Sequence, residues 1–334
     1  MNRCTAVLAA VLCGAMLLAQ ADKLVVVYTA HDEMYSEPIL DAFEEQTGIE
    51  VKAAYDIEAS KTTGLVNRLI AEKDHPRADV FWNNEVAQTI VLQRKRVLTP
   101  YMSPAAKTIP PAFKDPDGHW TGFAARARVI IYNTDLVSEP PTSIFDLTHE
   151  RWRGQAGIAL PLFGTTATHA AALFATLGEE PAKAYFQALK ANDVQAVSGN
   201  ATCRDMVAQG ELKVGLTDTD DANGAVLDGR PARWLFPDQG EGQLGTLVIP
   251  NSVCLIRGAP HAAQGKRLID FLLSPEIEAR LARGRSMQMP LHPDVDVPKT
   301  VPKLEDIRAM AVDFYEVSAQ MTKTAKFIQE TFAR

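Results

Sequence analysis

The stretch VGLTDTDDANG (residues 214–224) runs an apolar segment straight into three carboxylates. Val214 and Leu216 read as a buried strand, and isolated charge is costly to desolvate. Asp218, Asp220 and Asp221 therefore need water, a cation or arginines opposite them. If the chain stays extended, Asp218 and Asp220 share one face and Asp221 points the other way. Three acids can form a site for a hard cation. An EF-hand loop is excluded, because Ala222 and Asn223 break its register. A solvated loop that caps a helix is the plain alternative.

Other short motifs carry groups able to bind a ligand. His31 ends YTAH, where a neutral imidazole can ligate a metal or simply cap the next helix. In WNNE, Asn84 and Glu85 offer oxygens to a ligand, or cap a helix start. Arg126 and Arg128 in ARARVIIYN lie on one face of a strand. Their planar forks suit carboxylate, phosphate or carbonate, although a solvated face would also hold them. Gly164, Thr165 and Thr166 stand between a strand and a helix, where backbone N–H groups and hydroxyls make an anion site or an ordinary cap. Ser198 and Asn200 in SGNATC form a similar helix start. His169, one turn into its helix, reads as a packed side chain.

The elements around these motifs alternate. LVVVY (24–28), IEVKA (49–53) and ADVFW (78–82) read as strands, with helical spacing at Ile39, Leu40 and Phe43 and again at Leu65, Leu69 and Ile70. Gly48 fits a helix stop, and Ser274 fits the cap of SPEIEARLA. Strand–helix alternation predicts a parallel sheet covered by helices. VIIY (129–132) is a further strand, and the apolar runs 248–249 and 253–256 are separated by Pro250. In such α/β folds ligands sit beyond the carboxyl ends of the strands, which is where the motifs fall.

Composition narrows the classes. Of 334 residues, 46% are hydrophobic and 22% charged, with a formal net charge of -7. That balance argues against general nucleic-acid binding, which needs a basic face. Residues 1–21 have a basic start, an apolar run and the exit Ala19-Gln20-Ala21, the pattern of a secretory signal. A lipoprotein anchor at Cys13 is disfavoured by Leu12 before it. Cys203 and Cys254 remain in the mature chain, either paired in an oxidising compartment or as two buried thiols. No GxSxG, HExxH, P-loop or GxGxxG occurs, so nothing recommends an enzyme.

In order along the chain, LVVVYTAH, LDAFEEQTGIEV, ADVFWNNE, GFAARARVIIYN, VGLTDTDDA and GTLVIPNSVCLIRGAPH resemble the periplasmic solute-binding proteins of ABC importers, nearest the ferric-iron-binding branch. The resemblance covers nearly the whole mature chain. It implies an α/β, two-lobed binding protein of the type with two hinge strands, each lobe a central sheet flanked by helices. The first lobe is expected over residues 22–122 and 248–291, the second over 123–247 and 292–334. It also implies a periplasmic location, a permease partner in the inner membrane, and a monomer that closes on its ligand.

The leading ligand is then a metal ion, Fe3+ or another hard cation, with a synergistic anion such as carbonate or phosphate and no organic cofactor. His31, Asn84, Glu85, Asp218, Asp220 and Asp221 would be its ligands. The branch carries a tyrosine pair where this chain has Asp220-Asp221, and carboxylates are more permissive toward other hard cations than phenolate. The alternative is a small anionic organic solute, such as a phosphorylated compound. Arg126, Arg128, Gly164, Thr165, Thr166, Ser198 and Asn200 would then dominate the site. A metal-dependent hydrolase using the paired aspartates ranks last.

Overall fold

A computed structural model describes residues 23–56 and 62–332. The expected signal segment lies outside these residues, as does Lys61, the expected start of the helix carrying Leu65, Leu69 and Ile70. The first region is β1 (Leu24–Thr29), α1 (Glu33–Thr47), β2 (Glu50–Tyr55), α2 (Thr63–Ala71), β3 (Val80–Asn83), α3 (Ala87–Arg94) and β4 (Leu98–Thr99). Gly48 stops α1 in the left-handed conformation at φ 66°, with its N–H on the Glu44 carbonyl at 2.8 Å. β1 lies parallel to both β2 and β3, as the alternation predicts.

The longest strand, β5 (Thr121–Asn133), runs on into a second region. There follow β6 (Ala156–Ala159), α4 (Gly164–Leu177), α5 (Glu179–Ala191), β7 (Gln195–Val197), α6 (Asn200–Ala208), β8 (Val214–Asp218), α7 (Thr219–Leu227) and β9 (Ala232–Leu235). β10 (Val248–Ile256) returns to the first region, followed by α8 (Ala262–Leu272), α9 (Pro275–Arg283) and α10 (Phe314–Phe332). The sheet order is β2-β1-β3-β10-β5-β8-β6-β7, with β4 joined to β10 and β9 to β5.

β5 and β10 connect the two halves. The early part of β5 pairs with β10, and its end, from Arg128 to Asn133, pairs with β8. The expected strand over residues 129–132 is thus the tail of a much longer one. The two apolar runs around Pro250 form a single strand whose register shifts between Ile249 and Asn251. Proline has no N–H to give the ladder, so the strand bulges there rather than ending. Opposite the bulge, Ala124 sits at φ 43°, and its N–H donates to the buried Glu278 carboxylate at 2.7 Å. Asn251 Nδ2 donates to the Ala124 carbonyl at 2.5 Å. Both crossing strands are therefore irregular at one level and stitched there by buried polar groups.

The C-terminal helix touches both regions, not the second alone. Phe327 packs on Phe174 of α4 at 5.7 Å between ring centroids. At its other end, Arg94 of α3 donates to the Tyr315 carbonyl at 2.8 Å. Cys203 and Cys254 are free buried thiols in separate regions, so the disulfide alternative is not realised.

Candidate functional site

The three aspartates occupy a strand end and a helix start. Asp218 closes β8 and stands at the N-cap of α7, and Asp220 and Asp221 fall in that helix's first turn. The extended-strand expectation fails because the backbone turns helical at Thr219. One carboxylate oxygen from each lies within 4.8 Å of the others.

All three acids meet arginines. Arg128 and Asp218 are registered partners across the antiparallel β5–β8 pair. Arg128 Nη1 lies 2.6 Å from Asp218 Oδ1, and neither side chain reaches solvent appreciably. Arg126, two residues earlier on the same face, places Nη1 3.2 Å from Asp220 Oδ2. Its Nη2 donates to the Asn84 backbone carbonyl in the first region. Asp221 faces Arg204 Nη1 at 3.5 Å. Burial would raise the Asp218 pKa, but Arg128 and Arg126, with hydrogen bonds from Thr165 and Arg128, hold it below the usual carboxylate range.

The starts of two further helices converge on the same pair. Thr165 Oγ1 donates to Asp218 Oδ2 at 2.5 Å, and Asn200 Nδ2 donates to the same oxygen at 3.1 Å. Arg128 Nη1 also reaches Asn200 Oδ1 at 3.0 Å. Asp218 and Arg128 thereby tie the N-termini of α4 and α6 together. The first N–H groups of a helix have no partner within the helix, so both N-termini present donors to a common space.

That space is a cavity of about 350 Å³ between the regions. Its walls include Asn84, Arg126, Gly164, Thr165, Thr166, Ser198, Asn200, Asp218 and Asp221, all expected from sequence. Asp32, Glu33, Tyr35 and Arg204 also line it and were not expected. Asp32 and Glu33 directly follow YTAH at the end of β1, so the strand-end rule could have found them. Arg204 lies one turn into α6, and no local signal marks it.

Three expected metal ligands, Asp220, His31 and Glu85, do not line the cavity, and neither does Arg128; Asp220 is held by Arg126 and Arg128 by Asp218. His31 is 1% exposed, off the cavity wall, with its ring 5.2 Å from Trp82 and 5.8 Å from Tyr35. Its Nε2 lies 3.0 Å from Gln288 Nε2, whose amide oxygen accepts from Asn251. That orientation makes Gln288 the donor and occupies the Nε2 lone pair. Glu85 is fully buried and accepts from the Ala87 and Gln88 amides at 2.6 and 2.9 Å, from Asn83 Nδ2 at 2.9 Å and from Thr168 Oγ1 at 2.8 Å. Its role is to cap α3 and to join α4 to it. Asn84 does reach the cavity, but its Oδ1 accepts from Thr62 Oγ1 at 2.7 Å.

Residues 78–316 match the family model described as bacterial extracellular solute-binding protein. The chain is 26% identical over 316 residues to iron uptake protein A1 of Synechocystis sp., covering 91% of this chain and 84% of that one. It is 29% identical over 288 residues to a putative 2-aminoethylphosphonate-binding periplasmic protein of Salmonella typhi, covering 82% and 81%. Its fold matches that of the periplasmic binding protein AfuA from Actinobacillus pleuropneumoniae, solved with exogenous fructose-6-phosphate, at TM-score 0.82 and 22% identity, covering 92% and 98%. The chain belongs to the bacterial extracellular solute-binding protein family, has that two-lobed fold, and is the substrate-binding component of an ABC importer.

Proposed function

We propose that the cavity captures a small organic anion, with a phosphonate or phosphate group seated at the N-termini of α4 and α6. The observation that carries this reading is the space itself. About 350 Å³ suits a small organic molecule and is far more than a bare ion fills. The charge pattern supports it too. Asp218 and Asp220 are already compensated by Arg128 and Arg126, whose positive charge disfavours a cation between them. Asp32, Glu33 and Asp221, the last of them 3.5 Å from Arg204, also line the wall and can receive hydroxyl or ammonium groups at the ligand's other end.

On this reading residues 22–122 with 248–291 form one lobe and residues 123–247 the other, β5 and β10 are the hinge strands, and α10 braces both sides. The ligand closes the lobes, the protein binds without turnover, and the closed form delivers to an inner-membrane permease. Export by the N-terminal segment to the periplasm, and action as a monomer, complete the proposal. Among the described residues no helix is long and apolar enough to cross a membrane.

The three-acid cluster supports a second reading, ferric iron held with a synergistic anion. Thermal unfolding separates the two, because a ligand of the native state raises its stability. Protein stripped by denaturation and refolding is titrated with 2-aminoethylphosphonate, fructose-6-phosphate and ferric citrate. The organic-anion reading expects a rise with a phosphorus compound in the absence of iron. A rise with ferric citrate alone would replace it with the metal reading.

A further inference from the structure

We propose that α10 moves as part of the second lobe, and that Tyr315 near its start is a clasp that releases the first lobe when the cleft opens. This rests on the hinge reading above and not on which ligand is bound. The segment leading into α10 is tied to the chain just before β10. The Thr246 N–H donates to the Arg308 carbonyl at 2.9 Å, and the Met310 N–H to the Thr246 carbonyl at 2.8 Å. Gln239 and Arg308 exchange two more hydrogen bonds, at 3.1 and 2.8 Å. The far end of the helix is packed into the second region. Phe327 lies against Phe174 and Phe186, with ring centroids 5.7 and 6.5 Å away, and Phe332 lies 6.4 Å from Phe186. Lys323 pairs with Glu179, and Lys190 Nζ donates to the Thr331 carbonyl at 2.5 Å.

The helix is thus anchored to the second region on both sides of Tyr315, while Tyr315 itself faces the first. Its hydroxyl donates to Asp115 Oδ1, its carbonyl accepts from Arg94 at 2.8 Å, and its ring lies 6.3 Å from Trp120. Asp115 is fixed from its own side by the His119 N–H at 2.8 Å and Gln93 Nε2 at 3.1 Å. Parting the phenylalanines would expose apolar surface, which water does not compensate. The polar groups around Tyr315 can exchange their protein partners for water at small net cost. The seam with the first lobe is therefore the weaker one. It is closed in the arrangement in which Arg126 and Thr168 reach Asn84 and Glu85 across the cleft, so losing it favours opening.

Spin labels on the ligand-free full-length protein test this through pulsed electron paramagnetic resonance distances. Lys95 of α3, Gln187 of α5 and Lys326 of α10 are exposed and are changed to cysteine in pairs. The Lys95–Gln187 pair is expected to show a short and a long population. In Tyr315→Phe the long-to-short ratio should rise by about tenfold. Lys95–Lys326 should follow it, and Gln187–Lys326 should stay single and unchanged. A Gln187–Lys326 distance that varies while Lys95–Lys326 holds would place α10 with the first lobe and overturn the inference. A ratio unmoved by Tyr315→Phe would remove the clasp and leave the hinge reading standing. One unchanging Lys95–Gln187 distance in both proteins would overturn both.

Discussion

Arg128 and Asp218 face each other across the β5–β8 ladder, Nη1 to Oδ1 at 2.6 Å, in a place from which water is excluded. Breaking a buried pair from one side leaves an uncompensated charge and typically costs about 3–5 kcal/mol. Arg128→Met should lose stability on that scale in urea unfolding. Arg128→Met combined with Asp218→Leu should recover much of it, since a well-packed apolar replacement is often neutral. A single variant as stable as wild type would show that the pair is not compensating charge.

Arg126 joins the two regions, donating to Asp220 on one side and the Asn84 carbonyl on the other. Removing its charge should weaken both the grip on an oxyanion and the bridge across the cleft. Arg126→Gln is expected to lower affinity for 2-aminoethylphosphonate by about 1.5–3 kcal/mol, the range for hydrogen bonds to charged groups. Isothermal titration measures it, and unchanged affinity in a folded variant would place the anion elsewhere.

His169 on α4 lies beside Leu173 and Leu216 with no partner for Nε2 among the described residues. Burial, followed by the nearby Arg128 charge, pushes its pKa down to about 3, with Asp218 opposing. The folded value is below the unfolded value of about 6.5. The neutral ring's contribution is therefore complete above pH 6.5 and declines as pH falls toward 3, because the unfolded chain takes up the proton first. Relative to wild type, His169→Leu should gain in melting temperature as pH drops from 7 to 4.5. A constant difference across that window would contradict the assignment.

Gly215, in the middle of β8, has no room for a side chain. An added Cβ would lie 2.5 Å from Cys203 Sγ and 3.2 Å from Val207 Cγ2. Gly215→Ala should cost about 1–3 kcal/mol from overpacking. Cys203→Ala removes the obstructing sulfur, so the double variant should cost less than the sum of the two single changes. Strict additivity in chemical denaturation would mean that the strand shifts instead of the thiol.

Burial raises the pKa of both thiols, Cys203 to about 12. Neither should react with a maleimide reagent in the native protein, and both should react in denaturant. Rapid labelling of the native protein would show that α6 or β10 opens readily.

Local order was legible because it is written in local spacing. Apolar period and stop residues marked β1 through β3 and their helices. Gly48 ends α1 by its φ, and Ser274 Oγ accepts from the Ile277 N–H at the start of α9. The polar tips after the strands were legible for the same reason, and most of them do line one cavity. The shape of β5 and β10 was not, because a proline inside a strand reads as a break unless the partner strand that accommodates its bulge is known.

The sequence by itself determined that carboxylates, arginines and helix N-termini would gather at strand ends. Only the tertiary structure decided which of them answer one another. Arg128 and Asp218 are 90 residues apart, and His31 meets Gln288 across 257 residues. Whether a carboxylate awaits a cation or already has a guanidinium depends on a separation of a few ångströms through space. Strand register and lobe packing set that separation, and local periodicity does not carry it.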